Sequence, residues 1–102
     1  MAEIMKMFSE RLPKVQGGFV NLMNSINESS TLDAKTRELI MVALLTAQKT
    51  SDGVKAHAIR AVEAGATIED IVAAMSQAIP IYGIGTIMDC LPVIEELEEL
   101  SK

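Results

Sequence analysis

Three side chains in this sequence could do chemistry: Glu38, His57 and Cys90. There is one histidine and one cysteine in the whole chain. An imidazole changes charge near neutral pH, so His57 is a candidate proton shuttle. On a helix its neighbours are Gly53, Val54, Ala61 and Ala64. That small-residue face admits close approach of a ligand, or of another helix against a partly buried histidine bonded to a carbonyl. Glu38 has Met41, Val42 and Leu45 at i+3, i+4 and i+7, all on its own side of a helix. A carboxylate there either reaches a polar partner or holds its proton more tightly. It then serves as a general acid or base. The other reading is a first-turn glutamate that faces solvent and favours the helix N-terminus.

Cys90 sits beside Met88 and Leu91 with acidic residues downstream. That setting predicts a buried, protonated, inert thiol. A single cysteine excludes an intrachain disulfide, and a single histidine argues against a zinc site built from this chain. No metal and no cofactor are expected. There is no phosphate-cradling loop and no dinucleotide fingerprint.

The elements that must position these groups read as helices. Residues 2–12 place Ile4, Met5, Phe8 and Leu12 on one stripe, and residues 13–27 do the same with Val15, Phe19, Leu22, Met23 and Ile26. Pro13 breaks the first helix or begins the second. Residues 28–31 form a polar connector. Asp33 is the expected N-cap of a third helix over 34–48, whose run Leu39–Leu45 has no polar side. A helix apolar all round is surrounded by protein, either as a central helix or at an oligomer interface. A fourth helix over 52–64 ends at Gly65, and Thr67 with Asp70 suggests a capping box for a fifth over 68–79. Pro80 ends that helix, and Gly83 and Gly85 mark a tight connection. A last helix runs to about residue 99 with Val93, Ile94, Leu97 and Leu100 inward, and the run from Glu95 to Glu99 is its solvated face.

The bulk numbers agree. At 102 residues, with 49% hydrophobic and only 3% aromatic, the chain suits a single all-α domain spanning 1–102. A mean hydropathy of +0.27 in so small a chain points to subunit interfaces. The net charge of −5 argues against nucleic acid and anionic membranes as partners. No secretory signal and no membrane-spanning run is evident, so the expected compartment is the cytoplasm.

The stretch Asp33–Leu97 resembles the carboxymuconolactone decarboxylase/alkylhydroperoxidase-D-like family. The residues Asp33-Ala-Lys-Thr-Arg-Glu-Leu-Ile40 are similar to that family's entry into its central helix. Those from His57 through Gly65-Ala-Thr67, with Glu69-Asp70-Ile71, are similar to its histidine segment, and Gly83-Ile-Gly-Thr86 to its glycine-rich bend. The resemblance implies a compact bundle of five to six helices and a homo-oligomer, trimeric or hexameric. It also implies catalytic roles for Glu38 and His57. Two departures limit what carries over. The peroxidase-type members place Cys-x-x-Cys where this chain has Thr50 and Gly53, and the lactone decarboxylases have an Arg two residues after the histidine, where this chain has Ile59.

The sequence therefore points to a decarboxylase-like acid–base enzyme, a lyase acting on a small carboxylate or lactone metabolite. The alternatives are a non-catalytic binding or scaffold oligomer of the same fold, and a peroxidase-type thiol oxidoreductase acting through Cys90. Thiol peroxidase chemistry is not expected, since it needs a resolving thiol. One geometric expectation follows from the helix boundaries. If helices three and four form a simple hairpin turning near Thr50, Glu38 lies about 16 Å from the turn and His57 about 8 Å. The pair would then need a crossing angle, a bridging water or another subunit to communicate.

Overall fold

The computed structural model describes residues 2–102. It is all-α, with six helices of nine or more residues and two short ones, and no strand among the described residues. No helix is long and apolar enough to cross a membrane. The chain divides into two units, one ending at Thr31 and one covering Leu32–Lys102.

The first unit holds α1 (Ala2–Arg11) and α2 (Pro13–Ser29). They meet at Leu12, whose ψ of 60° ends one helix and begins the next. Its N–H donates to the Phe8 carbonyl and its own carbonyl accepts from Gln16 N–H, both at 2.8 Å. Pro13 occupies the first turn of α2, where its missing N–H costs nothing. The Gly17–Gly18 pair does not interrupt the helix, and α2 extends through Glu28 and Ser29, which the sequence assigns to a connector.

The second unit is built on α3 (Ala34–Ala47) and α4 (Ser51–Glu63), its most extensive helix pair. α5 (Ile68–Ser76) packs on α3, and α8 (Pro92–Leu100) packs on α4 and α5. The core is Val42, Val54, Ala58, Ala61, Ala66, Ile71, Met75, Ile87, Cys90, Val93 and Leu97. Each fully buried Val, Ile or Met side chain there contributes about 1.5–3 kcal/mol, so this small set positions α3 against α4.

Local signals fix the helix ends. Asp33 caps α3, its Oδ1 accepting from Thr36 N–H at 2.8 Å. That bond holds the Asp33 carboxyl below its usual range, helped by Lys35 and Arg37. The capping box at α5 is complete. Thr67 Oγ1 accepts from Asp70 N–H at 3.1 Å, and Asp70 accepts from Thr67 N–H at 3.0 Å. That backbone bond likewise lowers the Asp70 pKa. α4 ends on Gly65 at φ +104°, with Ala66 N–H reaching back to the Ala61 carbonyl and Gly65 N–H to that of Val62.

Ile40 and Leu44 on the outer side of α3 are exposed, so its own chain does not surround it. Three expectations change. Pro80 opens a four-residue helix rather than closing α5. The connection expected around Gly83 holds two short helices, α6 (Ile79–Tyr82) and α7 (Gly85–Cys90). Proline in a first turn starts a helix as readily as it stops one, since its fixed φ suits that position. Finally, Leu100 is exposed, while Val93 and Leu97 are buried as expected.

Candidate functional site

Glu38 and His57 come together directly. Nδ1 of His57 lies 2.6 Å from Oε2 of Glu38. About a fifth of each side chain remains exposed, 20% for His57 and 23% for Glu38. The expected gap between them is closed by the register of the two helices. Gly53 of α4 sits against Leu45 of α3, so closely that a Cβ there would stand 3.1 Å from Leu45 Cδ2. That contact centres the turn at Lys49, one residue earlier than the sequence suggests. His57 then lies only about three residues, or 4.5 Å of rise, from the level of Glu38. The reach of the two side chains covers that offset without a water or a second subunit.

The turn that sets this register is tight. Thr50 N–H donates to the Leu45 carbonyl at 3.0 Å and Lys49 N–H to that of Thr46 at 2.9 Å. Lys49 sits at φ 59°, the left-handed conformation in which glycine is usual. No composition signal marks this position as the turn centre, which is why the sequence puts the turn one residue later, near Thr50.

Apolar residues follow Glu38 on α3 and flank His57 on α4. On α3, Val42 is buried and Met41 and Leu45 are half-buried. On α4, Gly53, Val54, Ala58 and Ala61 are buried. A carboxylate accepts and does not donate, so the ionised Glu38 fixes the proton of a neutral His57 on Nδ1. Nε2 then carries the lone pair. It has no protein partner among the described residues, and no buried side-chain nitrogen or oxygen is left unsatisfied there, so Nε2 opens to solvent. An imidazole held at one nitrogen and open at the other takes a proton at Nε2 and returns it, while the carboxylate steadies the imidazolium formed in between.

Two cavities lie elsewhere. One, of about 170 Å³, is lined by Ile59, Val62 and Ile68 with Leu97 and Leu100. It is on the face of α4 turned away from His57. The other, an open groove of about 370 Å³, runs between Leu39, Ile40 and Ala43 of α3 and Ala73 and Ala74 of α5. Neither is lined by Glu38 or His57. The pair is thus neither enclosed in one of these cavities nor sealed in the core.

Cys90 is fully buried and unpaired. Burial pushes its thiol pKa up, and the nearby Asp89 adds to the effect. Thr50 and Gly53 stand at and near the start of α4, with no sulfur at either position. No cluster of three or more metal-ligating side chains occurs among the described residues.

The comparison with curated proteins and that with solved structures find no match. The model of the carboxymuconolactone decarboxylase family matches residues 13–96, a span that includes both Glu38 and His57. On that match over most of its length, the chain belongs to the carboxymuconolactone decarboxylase family.

Proposed function

We propose that the protein is a decarboxylase-like lyase acting on a small carboxylate or lactone metabolite, with His57 as its acid–base group and Glu38 as its partner. The observation that carries this reading is the 2.6 Å bond between Nδ1 and Glu38, which leaves Nε2 without a protein partner among the described residues. Loss of carbon dioxide leaves a carbanion that must be held as an enol or enolate. A protonated imidazole beside the substrate carbonyl stabilises that charge and then delivers the proton to carbon. Glu38 keeps the ring in the useful tautomer. The scheme needs no cofactor. It sits in a single family domain over 1–102, in a cytoplasmic homo-oligomer, trimeric or hexameric, whose partners are its own copies and the substrate, without nucleic acid or membrane. The apolar residues exposed on α3, Ile40 and Leu44, support self-association.

The test is a thermal-shift screen of small carboxylates and lactones, followed by turnover measurements on the hits with wild type and His57→Ala. Turnover by wild type that His57→Ala loses supports the reading. A hit turned over equally by both removes it.

A second reading, a non-catalytic binding or scaffold oligomer, is favoured by one observation: an apolar cavity and an open groove lie on faces away from the pair. Binding without turnover, insensitive to His57→Ala, is its signature.

A further inference from the structure

The first unit has a feature that neither the acid–base site nor the exposed side of α3 uses. Val15, Phe19, Leu22 and Ile26 follow one another at spacings of four, three and four residues, the repeat that keeps a single seam on one side of a helix. All four are exposed, at 55%, 43%, 58% and 48%, and α2 buries no residue over its seventeen positions. A seam of large side chains left open to water is a contact surface.

The charges on α2 indicate what covers it. The helix carries only two, Lys14 in its first turn and Glu28 in its last. Both are misplaced for an isolated helix, whose N-terminus favours negative charge and whose C-terminus favours positive charge. Beside an antiparallel copy of itself the same arrangement becomes complementary, because the Lys14 end lies along the Glu28 end of the other helix. The seam is self-complementary in that direction as well: position 15 meets position 26 of the second copy, and position 19 meets position 22. A parallel pairing would set like charges together at both ends.

We propose that α2 is a two-fold contact between two copies of this chain, packed antiparallel along Val15, Phe19, Leu22 and Ile26. Such an isologous contact presents the same patch on both partners. Gly18 borders the seam with nothing within 4 Å of an added Cβ, so the second backbone can approach there. The contact is independent of the acid–base reading; it adds to the proposed self-association one surface and its direction, and being two-fold it fits the hexamer and not the closed trimer.

The full-length chain tests this by light scattering coupled to size exclusion, with circular dichroism on each variant. Leu22→Lys is expected to halve the mass while keeping the helical signal. Phe19→Glu alone does the same. The double variant Phe19→Glu/Leu22→Lys is expected to regain the wild-type mass, because the antiparallel register sets each new carboxylate opposite a new ammonium of the other copy. If Leu22→Lys loses its helical signal, Leu22→Ala decides the matter through a dilution series, where the wild-type mass must fall at a higher concentration than without the change. Unchanged mass in the single variants overturns the contact, even if the protein remains oligomeric through another surface. A double variant that stays at half mass overturns the antiparallel direction. A lowered melting temperature at unchanged mass shows that the seam is covered within its own chain, and also overturns the proposal.

Discussion

Glu38–His57 and Cys90 are the two places in the second unit where the sequence offers reactive side chains, and the fold treats them in opposite ways. The first is polar, paired and about one-fifth open to solvent, with one ring nitrogen held and the other free. The second is closed off completely, without a partner, and its thiol is harder to ionise than usual. Neither difference comes from the residue type alone. A cysteine at the start of a helix beside a base would be a nucleophile, and a histidine sealed in a core would be inert. What separates them is where the helices carry them: the register of α3 on α4 brings Glu38 to His57 at the rim of the unit, while α7 ends with Cys90 against the core.

The sharpest way to break this contrast is to remove the free nitrogen. His57→Ala is expected to lower kcat/KM on any substrate found by about a hundredfold to ten-thousandfold, the range of a lost general acid–base group. Its melting temperature should stay near that of wild type, because the ring is only partly buried. Steady-state kinetics with a matched thermal melt checks both. A loss below tenfold would make the pair a structural bond rather than a working one.

A smaller effect is expected at Glu38. Glutamine keeps the shape and an acceptor for Nδ1–H, but not the charge that steadies an imidazolium. Glu38→Gln should therefore fold normally and lose at least about tenfold in kcat/KM, equivalent to roughly 1.4 kcal/mol. Equal rates in wild type and Glu38→Gln over the whole pH range would show that the carboxylate only props the ring.

At Cys90 the expectation reverses, with little change in rate and a change in stability. Cys90→Ser places a hydroxyl in the core and is expected to cost about 1–3 kcal/mol if it finds no hydrogen bond. Turnover should stay within twofold of wild type. Iodoacetamide should label the folded protein slowly and the urea-unfolded protein fast, and peroxide with a dithiol should not be consumed. Rapid labelling of the folded state, or peroxide turnover abolished by Cys90→Ser, would move the reactive centre from one region to the other.

Much of this contrast is legible in the sequence, for local reasons. The bounds of α3 and α4 come within about one residue because Asp33 and Gly65 do their work within one turn of themselves. The burial of Cys90 follows from its apolar neighbours. The contact between Glu38 and His57 did not follow, because it depends on Lys49 adopting a left-handed conformation and on Gly53 letting Leu45 in. Both set a helix register by a fraction of a turn, and neither leaves a composition signal. The outer side of α3 stays open between two covers for a related reason: its run of apolar residues is the same whether the cover comes from its own chain or from another. The short helices α6 and α7 were hidden by Gly83 and Gly85, whose freedom suits a loop as well as a helix boundary.

The smallest expected effect is also the most direct measure of how differently the two regions meet water. Cys90 keeps its proton in the folded state to a higher pH than it would in the unfolded chain, since burial disfavours the thiolate and Asp89 repels it. An exposed cysteine ionises near pH 8.5. Below that value both states hold the proton, and the thiol adds nothing to the pH dependence of stability. Above it the unfolded chain releases a proton that the folded chain retains, so the unfolded state binds fewer protons and stability falls as pH rises. The contribution is thus fully present below about pH 8.5 and is lost as pH climbs towards the raised value of the folded state. One proton limits the slope to about 1.4 kcal/mol per pH unit. Urea midpoints from pH 7 to 10 for wild type and Cys90→Ala isolate this term from tyrosine and lysine titration, which both proteins share. The two curves should run parallel up to about pH 8, after which wild type should fall more steeply. Curves that stay parallel to pH 10 would mean that the thiolate is as well accommodated in the folded protein as in water, and that Cys90 is not the closed counterpart of His57.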